Sequence, residues 1–152
     1  MCIRDSTKYP DQYDKLIADP GLISNLVPEI IRWQTPLSYM RRTANNDREI
    51  GGKQIRKNDQ ILIWYLSANR DETVFDNADA IDLERPNADR HLSFGYGIHF
   101  CMGSRLAEMQ LRVLWEEALQ RFARIEVQAE PERTFSAFVH GYTNLPVTVT
   151  RR

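Results

Sequence analysis

Phe94-Gly95-Tyr96-Gly97-Ile98-His99-Phe100-Cys101-Met102-Gly103 decides how this chain is read. The run places one thiol between a glycine-punctuated loop and a strongly periodic stretch. From Ser104 to Phe122, Ala107, Leu111, Leu114, Trp115, Ala118, Leu119 and Phe122 recur at spacings of three and four, which predicts an amphipathic helix with every one of these residues in the core. Glu108–Arg112 and Glu117–Arg121 add favourable pairs one turn apart. A cysteine just before a helix is biased toward thiolate, because free backbone N–H groups and the helix dipole favour negative charge there. Glycines on both sides of it let backbone approach a large flat metal cofactor closely. The competing reading is a buried structural cysteine with ordinary turn glycines around it.

The density of the pattern decides between them. Phe94, Gly95, Gly97, His99, Cys101, Gly103, Leu106 and Ala107 all fall in register with the haem-ligand loop of the cytochrome P-450 superfamily, which this run resembles. The resemblance implies a mainly α fold with small β-hairpins (α+β). It implies haem b, with Cys101 as the thiolate ligand to iron. Such a ligand pushes electron density onto the metal and favours O–O cleavage. Phe94, Gly95, Gly97, His99, Gly103 and Ala107 are the further cofactor-binding positions, with Phe94 shielding the sulfur and His99 bonding a haem propionate. Arg42 resembles the second propionate-binding residue, with Arg41 as its alternative.

Upstream, Glu29 and Arg32 are spaced to share one helix face. Alone, such a pair is usually a solvated ion pair worth little. The resemblance joins it to Arg85 in a buried structural network under the cofactor. It also makes Leu37, Met40, Phe138 and Val139 substrate-facing, on the loops at residues 36–40 and 137–141. No residue in the chain is expected to act as a catalytic acid or base.

The resemblance covers nearly the whole chain. The wording RWQTPLSYMRRTA (residues 32–44), HLSFGYGIHFCMGSRLAEMQL (91–111) and HGYTNLPV (140–147) looks like bacterial alkane and fatty-acid terminal hydroxylases. Steroid side-chain hydroxylases share parts of it. Both imply a monooxygenase using O2, a ferredoxin and a ferredoxin reductase to hydroxylate an apolar small molecule. Four positions depart from the pattern. Phe100 replaces a basic residue before the cysteine. Glu72 and Ala78 replace prolines. Ile81 replaces phenylalanine. The family's oxygen-activating helix, with its acid–threonine pair, has no counterpart in residues 7–28. The expectation is therefore the C-terminal third of a monooxygenase domain, residues 7–152, inactive alone. Residues 1–6, MCIRDS, read as an adapter-derived scar. Rival readings are a non-catalytic haem-binding module and a zinc module built on His91, His99, Cys101 and His140.

Bulk composition agrees with an ordinary globular chain. The 152 residues are 42% hydrophobic and 27% charged, with a net charge of −1, so neither nucleic acid nor an anionic membrane is attracted by bulk charge. No apolar run is long enough to span a membrane. Two widely spaced cysteines and no apolar leader point to the reducing cytoplasm. Pro10 opens a helix that runs to Ala18, and a second covers residues 22–33. In that second helix Asn25 is expected as the cap, which would leave Pro28 harmless in the first turn. Glu49-Ile50, Gly51-Gly52 and residues 61–65 read as strands and hairpins, and Lys57-Asn58-Asp59 as a tight turn. Residues 71–90 read as a meander with a helical turn near residues 72–75, anchored by Phe75, Ile81 and Leu83. Strands are expected at residues 125–127 and 147–149.

Overall fold

A computed structural model describes residues 8–152. The expected scar at residues 1–6 lies outside the described residues. Helices and small sheets combine in a mixed α+β architecture, as the resemblance implies. Helix α1 (Pro10–Ala18) starts on its proline and buries Tyr13 and Leu16. Asp19 then caps a single 3-10 turn, Pro20–Leu22, its side chain accepting the Gly21 N–H at 2.9 Å.

Helix α2 (Ile23–Gln34) corrects the expected cap. The 3-10 turn leads directly into it, so Asn25 lies inside the helix and so does Pro28. Asn25 serves the meander instead. Its Nδ2 donates to the carbonyls of Leu83 at 2.6 Å and Arg85 at 3.0 Å, tying that segment to the helix. An interior proline costs about 3 kcal/mol through a lost hydrogen bond and ring clash. Burial of Ile23, Leu26, Val27, Ile30 and Ile31 on the same helix outweighs it. The helix stops at Thr35, whose φ of 42° is left-handed.

Strand β1 (Tyr39–Thr43) pairs antiparallel with β4 (Gln60–Trp64), setting Met40 opposite Ile63 and Arg42 opposite Ile61. Between them β2 (Arg48–Ile50) and β3 (Lys53–Ile55) form a hairpin over Gly51 and Gly52, which adopt φ of 54° and 74°. The short α3 (Tyr65–Ala68) leads into the meander. The expected helical turn there closes only as a turn, with Val74 and Phe75 N–H both on the Asp71 carbonyl. Phe75, Ile81 and Leu83 are buried and anchor it.

Helix α4 (Ser104–Arg121) follows the cysteine loop. It runs into β5 (Phe122–Val127), which pairs with β8 (Val147–Arg151), while β6 (Glu132–Arg133) pairs with β7 (Tyr142–Asn144). Tyr13, Leu16, Leu26, Ile30, Trp115 and Leu119 join α1, α2 and α4 in one core. The expectation that the whole α4 stripe is core fails at Leu114, which is 51% exposed. A 3.6-residue repeat marks a face, and its width here exceeds what α2 covers. Among the described residues, no helix is long and apolar enough to cross a membrane.

Candidate functional site

The cysteine loop is shaped by its glycines and by a few backbone bonds. Gly95 and Gly97 have φ of 74° and 71°, the left-handed region that other residues resist. A Cβ on Gly95 would also come within 3.2 Å of the Tyr65 hydroxyl, a tight contact that Tyr65 would have to relieve by moving a few tenths of an ångström. Gly103 is less demanding: a Cβ there would meet the Cys101 Sγ at an ordinary 3.8 Å. The Cys101 N–H donates to the Phe94 carbonyl at 2.9 Å, and Phe100 N–H to Gly97 at 3.0 Å. The Phe94 ring stands edge-on to His91 and Phe100, with centroids 5.4 and 6.1 Å away. Cys101 remains a free, exposed thiol.

It opens on a cavity of about 450 Å³. Ile31, Leu37, Met40, Phe94, Ala107 and Leu111 supply apolar walls, and Arg42, His99 and Cys101 supply the groups with chemistry. Tyr65, Ser93, Pro36 and Gly95 complete it. Of the two adjacent arginines, Arg42 reaches this cavity; Arg41 is exposed and lies 3.4 Å from the Gln60 amide oxygen. Gly97, Gly103, Phe138 and Val139 are not among the lining residues. The last two instead brace the wall. Val139 bridges to Leu37, the Ser38 N–H donates to the Phe138 carbonyl at 2.9 Å, and Phe138 packs edge-on to Tyr39.

Beside the cavity lies a closed charge network. Glu29 and Arg32 are wholly buried and Arg85 is 3% exposed. Arg32 Nε and Nη2 each donate to Glu29 at 2.8 Å. Its remaining N–H groups reach the carbonyls of Asn69 and Ala78 at 2.8 Å and Ala80 at 2.9 Å, so all five donors are used. Arg85 Nε lies 3.1 Å from both Glu29 oxygens, and its other nitrogens reach Asp76, Asn77 and Ala80 carbonyls. Two cations thus share one carboxylate, and carbonyl dipoles supply the remaining compensation. Arg70, half-buried near Arg32, is lowered below the usual guanidinium range, mainly by burial.

His91 is buried against Phe94 with its pKa lowered to about 4, chiefly by desolvation. It is neutral, and its Nδ1 accepts the Ser93 N–H at 3.3 Å. His140 is 2.9 Å from the Ser38 hydroxyl. The rival zinc set of His91, His99, Cys101 and His140 is not assembled: among the described residues no three His, Cys, Asp or Glu side chains could hold a metal ion. The lining fits a flat, apolar, anionic-edged cofactor better. It offers one thiolate-capable sulfur, a guanidinium and an imidazole, apolar walls, and a glycine where the backbone must come close. Asn69, Ser93 and Tyr65 escaped sequence reasoning. Each is a small or amphipathic residue whose partners are distant in the chain, and no spacing marks them.

The family model for cytochrome P450 matches residues 12–147. The chain is 45% identical over 143 residues to linalool 8-monooxygenase of Pseudomonas putida, covering 94% of this chain and 35% of that protein. It is 42% identical over 144 residues to a methyl-branched lipid omega-hydroxylase of Mycobacterium tuberculosis, covering 93% and 33%. CYP153D17 from Sphingomonas sp. PAMC 26605 superposes with a TM-score of 0.93 at 57% identity, covering 97% of this chain and 37% of that one. The chain thus spans about a third of the length of the relatives it matches. Because the matched span takes in every element that lines the cavity, the chain belongs to the cytochrome P450 family.

Proposed function

We propose that this chain supplies the thiolate side and part of the substrate wall of a haem-dependent monooxygenase that hydroxylates unactivated C–H bonds. One observation carries the reading: Cys101 opens on the same cavity as Leu37, Met40 and Leu111. A ligand for iron and an apolar surface for substrate therefore meet in one space. When bound, haem b supplies the oxygen chemistry, and the protein supplies ligand, orientation and electrostatics. Cys101 would hold the haem iron as a thiolate. Arg42 and His99 take the propionates, and the Phe94 ring keeps water from the sulfur. Leu37 and Met40 exclude water from the substrate side, with Phe138 and Val139 holding that segment in place.

The substrate we propose is a medium-chain alkane or fatty acid attacked near its end. Charged groups on the wall are few, so discrimination rests on shape, worth about 1–3 kcal/mol per misplaced methylene. Two relatives, a methyl-branched lipid omega-hydroxylase and a linalool 8-monooxygenase, support an apolar substrate. We place residues 7–152 in a single domain whose oxygen-activating helix belongs to the remaining two-thirds of the family's length. Electrons come from a ferredoxin and its reductase, in the reducing cytoplasm.

The test uses the haem-loaded, full-length protein. Its ferrous carbon-monoxide complex should show the red-shifted Soret band of thiolate ligation, and Cys101→Ser should lose it. Retention of that band in the serine variant overturns the ligand assignment. Linear chains should shift the ferric spin state and yield terminal alcohols. A response to sterols alone favours steroid side-chain hydroxylation, and ligand binding without product favours a non-catalytic haem module.

A further inference from the structure

We infer that Asn69 is the positioning residue of the thiolate loop, holding Cys101 in place through Leu92, Ser93 and the Phe94 carbonyl. The inference rests on the haem-thiolate reading above. Asn69 is wholly buried, directly after α3. Its Oδ1 accepts the Leu92 N–H at 2.7 Å. Its Nδ2 donates to Ser93 Oγ at 2.8 Å and to Thr35 Oγ1 at 2.9 Å. Both hydroxyl protons are already committed, Ser93 to the Ile31 carbonyl at 2.8 Å and Thr35 to the Arg32 carbonyl at 2.7 Å. The two hydroxyls therefore show Asn69 only lone pairs. One acceptor facing Leu92 and two donors facing the hydroxyls is the pattern of a carboxamide and of no carboxylate.

The backbone of Asn69 closes the arrangement. Its N–H donates to Tyr65 at 2.9 Å and its carbonyl accepts Arg32 Nη1 at 2.8 Å, so the closed charge network anchors it. On the other side, the Leu92 carbonyl accepts the Gly95 N–H at 2.8 Å and the Phe94 carbonyl accepts the Cys101 N–H at 2.9 Å. A short chain of hydrogen bonds thus leads from a rigid, solvent-free hub to the amide of the ligand. Ser93, Phe94 and Cys101, at the working end of that chain, all line the cavity.

The test is the ferrous carbon-monoxide spectrum of the haem-loaded, full-length protein. Asn69→Asp keeps the shape but turns an oxygen toward two sets of lone pairs. It should retain haem while raising the ratio of the blue-shifted to the thiolate-type band about tenfold, the size expected for one or two lost hydrogen bonds. The control is Asn25→Ala, which removes two side-chain bonds from the same region but only on the meander side. It should lower the melting temperature and leave the band ratio alone. If Asn69→Asp keeps the wild-type ratio, or Asn25→Ala shifts it equally, Asn69 is only structural and the inference falls. If Asn69→Asp yields no holoprotein, Ser93→Ala decides: a smaller shift in the same direction supports the inference, and an unchanged ratio overturns it. A wild-type protein without the thiolate-type band defeats the underlying haem-thiolate reading instead, and the inference with it.

Discussion

The Glu29–Arg32–Arg85 network and the Cys101 loop lie on opposite sides of Asn69 and are built on opposite terms. In the network every Arg32 donor is bonded and the three side chains are almost without solvent contact. In the loop Cys101 and His99 are exposed, and Ile98 and Met102 are almost fully so. Only a few backbone bonds set its path. A buried charge cannot wait for a partner, because its desolvation is already incurred when the chain folds. As the proposed haem-ligand loop, the Cys101 segment would do the reverse and keep its valence free for a cofactor. The closed region therefore gives the open one a fixed foundation.

Breaking the closed side should do the most damage. Arg32→Ala removes two of the donors to Glu29, leaving Arg85 and the Asp82 N–H, and strips the Asn69 and Ala78 carbonyls of their Arg32 bonds. Removing one partner of a buried pair costs about 3–5 kcal/mol. Little soluble holoprotein is expected. Near-normal haem content and melting temperature would demote the network to an ornament.

The seam between the regions should respond to acid. Burial holds His91 near a pKa of about 4 when folded, against an ordinary 6.5. The folded state then binds fewer protons than the unfolded one between those values. Stability should be complete above about pH 6.5 and fall by up to about 2–3 kcal/mol as pH drops toward 4. Asp89 and Glu29 soften this fall and Arg32 sharpens it. Denaturant unfolding across that range measures it, and His91→Gln should flatten the curve. An equal slope in the variant assigns the acid response elsewhere.

On the open side, losses should appear in the cofactor rather than the fold. His99→Ala should leave the thiolate-type spectrum intact while weakening haem retention by roughly 1.5–3 kcal/mol, the range for a charge-assisted hydrogen bond. Haem transfer to an acceptor globin reads this directly. An unchanged rate removes His99 from the propionate site. The smallest effect belongs to a pair outside both regions. Glu117 and Arg121 are solvent-exposed one turn apart, so Glu117→Ala should cost no more than about 0.5 kcal/mol in thermal unfolding. A larger loss would mean that surface pairs on α4 matter as much as buried ones.

Local rules made much of this legible in advance. The α4 period, the Pro10 helix start, the Gly51-Gly52 hairpin and the Asn58 turn each depend on neighbours within a few residues. The Phe94–Gly103 run was legible by a different route, through the resemblance that one contiguous window carries. Tertiary structure alone decided the rest. It turned Arg42 rather than Arg41 to the cavity, because a strand sends adjacent side chains to opposite faces and only the pairing with β4 says which faces in. It placed Pro28 inside α2, gave Asn25 to the meander and left Leu114 uncovered. It made Asn69 the hub between network and loop, with partners 34 residues before it and 24 after. Chain-local chemistry determines which elements form; which side chains meet depends on bonds closed across tens of residues, and those exist only once the chain has folded.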